Sequence, residues 1–305
     1  VGFAVPDDTV LVADGGLATE LEAHGADLSD PLWSARLLVE DPEAIAAVHA
    51  AFFAVGAQIA TTASYQASFD GFAARGIDRR AADGLLRRSV ALARQAGGDA
   101  GGRWVAASVG PYGAARADGS EYRGRYGLSV AQLSAWHRSR LEVLVDAGAD
   151  LLALETVPDL DEAAALVGLV QEANVPAWLS YTIDGTETRA GQPLAEAFAV
   201  AAGVSQIVAV GVNCCAPADV LPAIEIARQV TDKPVIVYPN SGERWESGGW
   251  VGPARFSPAL VPQWIAAGAR IVGGCCRVGP SDIGEIAVAV RRTCTQRENP
   301  AGNSG

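Results

Sequence analysis

Eight short β-branched runs, each followed by a longer alanine-rich amphipathic stretch, constrain this chain more than any other feature. The runs cover residues 10–13, 58–62, 105–109, 151–155, 177–181, 207–212, 235–238 and 271–274. Most are almost continuously apolar, as strands covered on both faces are. Strands that alternate with helices specify a parallel sheet, because a parallel connection needs a crossover. Eight such units in 305 residues match a single (β/α)8 TIM barrel, typically about 250 residues plus insertions. A doubly wound open sheet is the competing architecture, but no G-x-G-x-x-G follows the first run.

The helical stretches carry their own punctuation. Asp41-Pro42-Glu43 reads as an N-cap, a proline at N1 and an acidic first turn; Ser129 with Gln132 matches a capping box. Three helix ends pass into strands through one repeated phrase, Gly56-Ala57, Gly148-Ala149 and Gly268-Ala269. A barrel domain over residues 1–294 is expected, with 295–305 as a disordered tail.

Charge and composition narrow the partners. A net charge of −12 and a pI near 4.7 argue against nucleic acid, which calls for a basic surface. No apolar run is long enough to span a membrane, and no secretory signal opens the sequence, so a cytoplasmic protein acting on small molecules is expected. Adjacent cysteine pairs in a chain this long make a poor disulfide framework, which points to reduced thiols. Lys233, the only lysine, precedes the seventh run at the barrel's stability face, which argues against a Schiff base. His24, His49 and His137 fall in or beside helices, where surface or packing roles suffice.

Catalytic groups of such barrels gather where the strands end. Asp14-Gly15-Gly16 follows the first run, Glu155-Thr156 ends the fourth, Asn213-Cys214-Cys215 follows the sixth and Gly273-Gly274-Cys275-Cys276-Arg277 closes the eighth. Adjacent strand residues face opposite ways, so Cys275 and Cys276 can share a ligand only if the chain turns, which Gly273 and Gly274 permit. One thiolate from strand six and two from strand eight would make a three-sulfur tetrahedral site with an open fourth position, the mark of a catalytic zinc. The competing readings are buried small hydrophobes or a thiol redox or zinc-sensing centre. Cys294 is expected to be structural. Asp14 and Glu155 end apolar strands, where an unpaired carboxylate is costly; together they would hold an ammonium group.

Taken together, these strand-end motifs resemble the homocysteine S-methyltransferase family. The resemblance runs from Asp14-Gly15-Gly16-Leu17-Ala18-Thr19-Glu20-Leu21 through Ala63-Ser64-Tyr65-Gln66, Gly211-Val212-Asn213-Cys214 and Tyr238-Pro239-Asn240-Ser241-Gly242-Glu243 to Gly273-Gly274-Cys275-Cys276-Arg277. It implies zinc (Zn2+) ligands Cys214, Cys275 and Cys276, and Asp14, Thr62 and Glu155 around the amino-acid end of homocysteine. Trp33 and Tyr65 match positions lining the donor side, where aromatic faces suit a sulfonium. S-methylmethionine is the first expected donor and S-adenosylmethionine the second, with betaine use as the alternative. Arg125 and Val278 depart from the family pattern in a way that bears on donor preference. A monomer is expected.

Overall fold

The computed structural model describes residues 3–6, 8–28, 32–246 and 249–298. Its eight parallel strands are β1 (Leu11–Val12), β2 (Ile59–Thr61), β3 (Trp104–Val109), β4 (Leu151–Val157), β5 (Ala177–Tyr181), β6 (Ile207–Asn213), β7 (Val235–Tyr238) and β8 (Ala269–Val272). They pair in chain order, and β8 returns to β1. An isolated bridge between Ala13 and Ile59, with the Asp14 amide donating to the Ile59 carbonyl at 3.0 Å, joins β1 to β2 and closes the barrel.

A major helix follows each strand: α1 (Pro42–Val55), α2 (Arg79–Gly97), α3 (Val130–Asp146), α4 (Leu160–Ala173), α5 (Leu194–Ala199), α6 (Val220–Val230), α7 (Val261–Ala267) and α8 (Pro280–Glu298). Asp41 caps α1, and Ser129 with Gln132 forms the complete capping box of α3. Gly56, Gly148 and Gly268 all take positive φ (114°, 80° and 126°), so the repeated phrase is one helix-to-strand turn used three times.

Two cores result from the strand alternation. Leu11, Ile59, Ala106, Leu151, Ala153, Ala209, Ile236 and Ile271 fill the barrel interior around Trp178. The indole nitrogen of Trp178 donates to the Tyr238 hydroxyl at 2.9 Å, satisfying both groups inside the barrel. Outward residues such as Leu152, Leu154, Val210 and Val212 pack under the helices. Lys233 lies at the opposite end from the strand C-termini, its ammonium donating to the carbonyls of Val204 and Ile207 at 2.7 Å each.

Most strand boundaries shift by a residue or two from the sequence reading, and three differences have a clear structural reason. β4 runs on to Val157 across an irregularity after Leu154, where Thr156 takes a φ of +57°. β8 ends at Val272, two residues early, because the Gly274 amide leaves the ladder to donate to the Asp14 carbonyl at 3.1 Å. The boundary expected after residue 294 falls inside α8, whose Thr295 hydroxyl donates back to the Arg291 carbonyl at 3.0 Å. Residues 295–298, read there as tail, continue the helix; the rest of the expected tail, 299–305, lies outside the described residues.

Candidate active site

Gly211-Val212-Asn213-Cys214 builds one side of the rim. A Cβ on Gly211 would stand 1.7 Å from the Ile236 carbonyl oxygen, so β6 and β7 approach this closely only because the residue is glycine. Asn213 is fully buried, and its Oδ1 accepts from the Thr156 amide (2.8 Å) and the Ser180 hydroxyl (2.7 Å). Cys214 then takes a φ of +48°, a left-handed conformation that costs a non-glycine residue about 1 kcal/mol or more. The turn breaks the strand alternation and brings its Sγ to 2.7 Å from that of Cys275. Cys215 stays in the helix-facing core, away from the sulfur cluster.

The facing side is built from β8 and the segment after β7. A Cβ on Gly274 would meet Val278 Cγ1 at 2.1 Å, and one on Gly273 would meet the Asp14 carbonyl oxygen at 2.8 Å. Neither glycine has positive φ; close packing, rather than the backbone freedom read from sequence, is what requires them. The Cys275 amide donates to the Pro239 carbonyl (2.8 Å) and the Cys276 amide to Asn240 Oδ1 (3.1 Å). Arg277, at φ +65°, clamps Glu243 with two bonds of 3.0 and 3.2 Å. Val278, noted as a departure from the family pattern, packs on Gly274 and belongs to this scaffold.

The sulfurs of Cys214, Cys275 and Cys276 all lie within 4.8 Å of one another. Thiolate–metal bonds of about 2.3 Å in tetrahedral array set sulfurs about 3.8 Å apart, so the triad fits one ion with small adjustments. Interactions among the sulfurs, followed by burial, hold all three thiols well above the usual thiol range. A cation among them reverses that balance, because a coordinated thiol is deprotonated.

Beside the sulfurs sit two buried carboxyl groups, Asp14 (4% exposed) and Glu155 (7%). Asp14 accepts from the Thr61 amide (2.7 Å) and hydroxyl (3.0 Å), and Glu155 from the Ser108 hydroxyl. Burial raises Asp14 to about 8 against the Thr61 hydrogen bonds, and the negative Glu155 adds to the rise. Burial also raises Glu155 to about 7, against hydrogen bonds from Ser108 and Tyr238. Among the described residues, amide and hydroxyl donors rather than cations face both carboxyls.

The remaining expected site residues divide. Thr62 is buried, and its hydroxyl is shared between the Ser64 hydroxyl (2.7 Å) and the Ser108 amide (3.0 Å), so it braces Ser108 under Glu155. Tyr65 is half-buried near Cys214 and hydrogen-bonds the Thr156 side chain; burial first, then Tyr122 and Cys214, raise it well above the usual phenol range. Trp33 opens a short 3-10 turn, Trp33–Arg36, and its side chain lies outside the described residues. Sequence reading missed Thr61, Ser108, Asn240 and Tyr122. Ser108 was the detectable one, a polar residue in an apolar strand. Tyr122, in the β3–α3 loop, is 40% exposed at the rim. Its hydroxyl is raised well above the phenol range, by burial and then by Cys214, Cys276 and Cys275.

Comparison with known proteins agrees with this geometry. The homocysteine S-methyltransferase family profile matches residues 11–290. The Homocysteine S-methyltransferase of Escherichia coli (strain K12) is 47% identical over 91% of this chain and 94% of its own length. The crystal structure of the homocysteine methyltransferase MmuM from E. coli in its metallated form superposes with a TM-score of 0.84 at 46% identity, covering 92% of this chain and 96% of that one. The apo form of the same enzyme gives 0.76 at 40% identity, over 93% and 97%. The chain belongs to the homocysteine S-methyltransferase family and is a methyltransferase, with a cluster of three cysteines that could hold a metal ion. No helix among the described residues is long and apolar enough to cross a membrane.

Proposed function

We propose that the protein transfers a methyl group from a sulfonium amino acid, S-methylmethionine first and S-adenosylmethionine second, to the thiol of homocysteine, giving methionine. The observation that carries this reading is the placement of three sulfurs within 4.8 Å of one another beside a buried, cation-free carboxyl pair. Zinc held by Cys214, Cys275 and Cys276 would supply the charge that keeps the substrate sulfur a thiolate at neutral pH. Asp14 and Glu155 hold the substrate ammonium, and Thr62 keeps Ser108 in position under Glu155. The homocysteine thiolate attacks the donor methyl carbon as the sulfonium–methyl bond breaks; its electron pair stays on the departing sulfur. A cation and an anion become two neutral thioethers, so the dry rim favours the transition state over the separated charges. The aromatic ring of Tyr65, with Trp33 from its short turn, is proposed to face the sulfonium.

A cytoplasmic monomer is part of this reading; free thiols suit a reducing compartment. The test is to measure zinc in reduced protein and follow methionine formation from homocysteine with each donor. About one zinc per chain, with turnover lost in Cys214→Ala, is the expected result. Zinc with turnover only on betaine overturns the donor assignment; no zinc and no turnover after zinc is restored overturns the reading as a whole.

A further inference from the structure

Arg189 lies in the segment after β5, and both neighbouring backbone groups are pinned. Its amide donates to the Thr182 carbonyl at 3.2 Å, and the Thr182 hydroxyl donates to the carbonyl of Cys214, also at 3.2 Å. One threonine therefore joins the arginine backbone to a cysteine of the sulfur triad. The next residue, Ala190, donates its amide to the Pro158 carbonyl at 3.0 Å. Its own carbonyl accepts two bonds, of 2.9 and 2.6 Å, from the guanidinium of Arg125.

The side chain is anchored far less. Its Nε is buried without a hydrogen-bond partner, and among the described residues the guanidinium donates no hydrogen bond. It forms a long ion pair with Asp184, which is 85% exposed and, at 4.0 Å, too far for a hydrogen bond, and Asp219 lies within its electrostatic reach. The guanidinium carbon lies 6.0 Å from the ring centre of Tyr122 in the β3–α3 loop. A planar guanidinium on a pinned backbone, with its Nε buried and without a hydrogen-bond partner, is suited to a carboxylate, which it can bind with two parallel bonds.

Two amino acids must meet at this rim, and the ammonium of one is assigned to Asp14 and Glu155 on β1 and β4. Arg189 stands on the β5–β6 side, above Tyr122. We propose that Arg189 binds the α-carboxylate of the methyl donor, with the Tyr122 ring between that carboxylate and the sulfur triad, so that the enzyme selects sulfonium amino acids over plain sulfonium ions. This inference rests on the sulfonium-donor reading above. It also gives Arg125 a part in donor preference: Arg125 holds the turn that carries Arg189.

The test compares two donors on the zinc-loaded enzyme at saturating homocysteine: S-methylmethionine and its decarboxylated analogue, (3-aminopropyl)dimethylsulfonium. Arg189→Gln is expected to raise the KM for S-methylmethionine about 10- to 100-fold, the size of a lost charge-assisted hydrogen-bond pair. The KM values for homocysteine and for the analogue should stay within about twofold, and Arg189→Lys should recover part of the loss. Calorimetric binding of S-methylmethionine without homocysteine should weaken by the same factor. An R189Q enzyme with unchanged KM for S-methylmethionine, or with equal losses on both donors, overturns the assignment while leaving the function standing. A wild-type enzyme that turns over neither S-methylmethionine nor S-adenosylmethionine overturns the functional reading and this inference together.

Discussion

Asn213 and Thr156 exchange two hydrogen bonds across the barrel rim: the Thr156 amide donates to Asn213 Oδ1, and Asn213 Nδ2 donates to Thr156 Oγ1, both at 2.8 Å. The pair holds two strand ends in left-handed conformations, Thr156 at φ +57° and Cys214 at +48°. Glu155 precedes the first and the sulfur triad includes the second, so one buried amide sets the spacing between the carboxyl and the triad.

Asn213→Ala should accordingly loosen both. It strands the Thr156 amide in the interior, and a buried unsatisfied group costs about 1–3 kcal/mol. Urea unfolding should show a loss of that order, and metal titration a weaker site, although no ligand has been removed.

The four cysteines of the rim should separate cleanly by metal content. Serine at 214, 275 or 276 is expected to remove zinc from the purified protein, whereas Cys215→Ala keeps it and costs about 1 kcal/mol or less as a small core truncation. Metal analysis of the four variants, side by side, checks this. Retention of full zinc by Cys276→Ser would exclude that residue from the ligand set.

Asp14 and Glu155 make the substrate-free protein sensitive to alkali. Their folded values, about 8 and about 7, stand above the ordinary 3.8 and 4.5, so the folded chain holds protons that the unfolded chain has released. Stability is then lost as pH rises toward 8. His49, buried and lowered from 6.5 to about 4, acts oppositely: its contribution is complete above 6.5 and is lost on acidification toward 4. The clean window is therefore pH 6.5–8. Chemical denaturation of metal-free, reduced protein should show stability falling across it, and Asp14→Asn should flatten the slope. An unchanged slope in D14N contradicts the assignment.

Arg140 is buried in the interior of α3, where its Nη2 donates to the Gly110 carbonyl (2.5 Å) and to His137 Nδ1 (2.9 Å). His137 passes its other ring proton to Glu162 at 2.8 Å, and Glu162 also accepts from the Tyr112 amide. Arg140→Met leaves the Glu162 carboxylate buried without its cation, and breaking a buried charge set this way costs about 3–5 kcal/mol. A thermal melt should place this variant well below wild type. Arg140→Met with Glu162→Gln should recover part of the loss, since both charges are then gone.

The architecture could be read from the chain because it rests on local and repeating signals. Eight apolar runs, the caps at Asp41 and Ser129 and the three Gly-Ala joins are each decided by neighbours in sequence, and barrel closure follows from their number. The cysteine triad was legible for a similar reason: strand ends of a parallel barrel share one rim, so residues 61 positions apart fall together. Which cysteine of the 214/215 pair turns toward the cluster was not local. It depends on Asn213 tying β4, β5 and β6, so the residues alone, apart from the family resemblance, did not separate Cys214 from Cys215. The same holds for Thr61, Ser108, Tyr122 and Arg189, ordinary residues in sequence whose meaning lies in the groups facing them. Periodicity along a chain records which side of an element is buried; it does not record what the element is buried against, and at this rim the second quantity sets the chemistry.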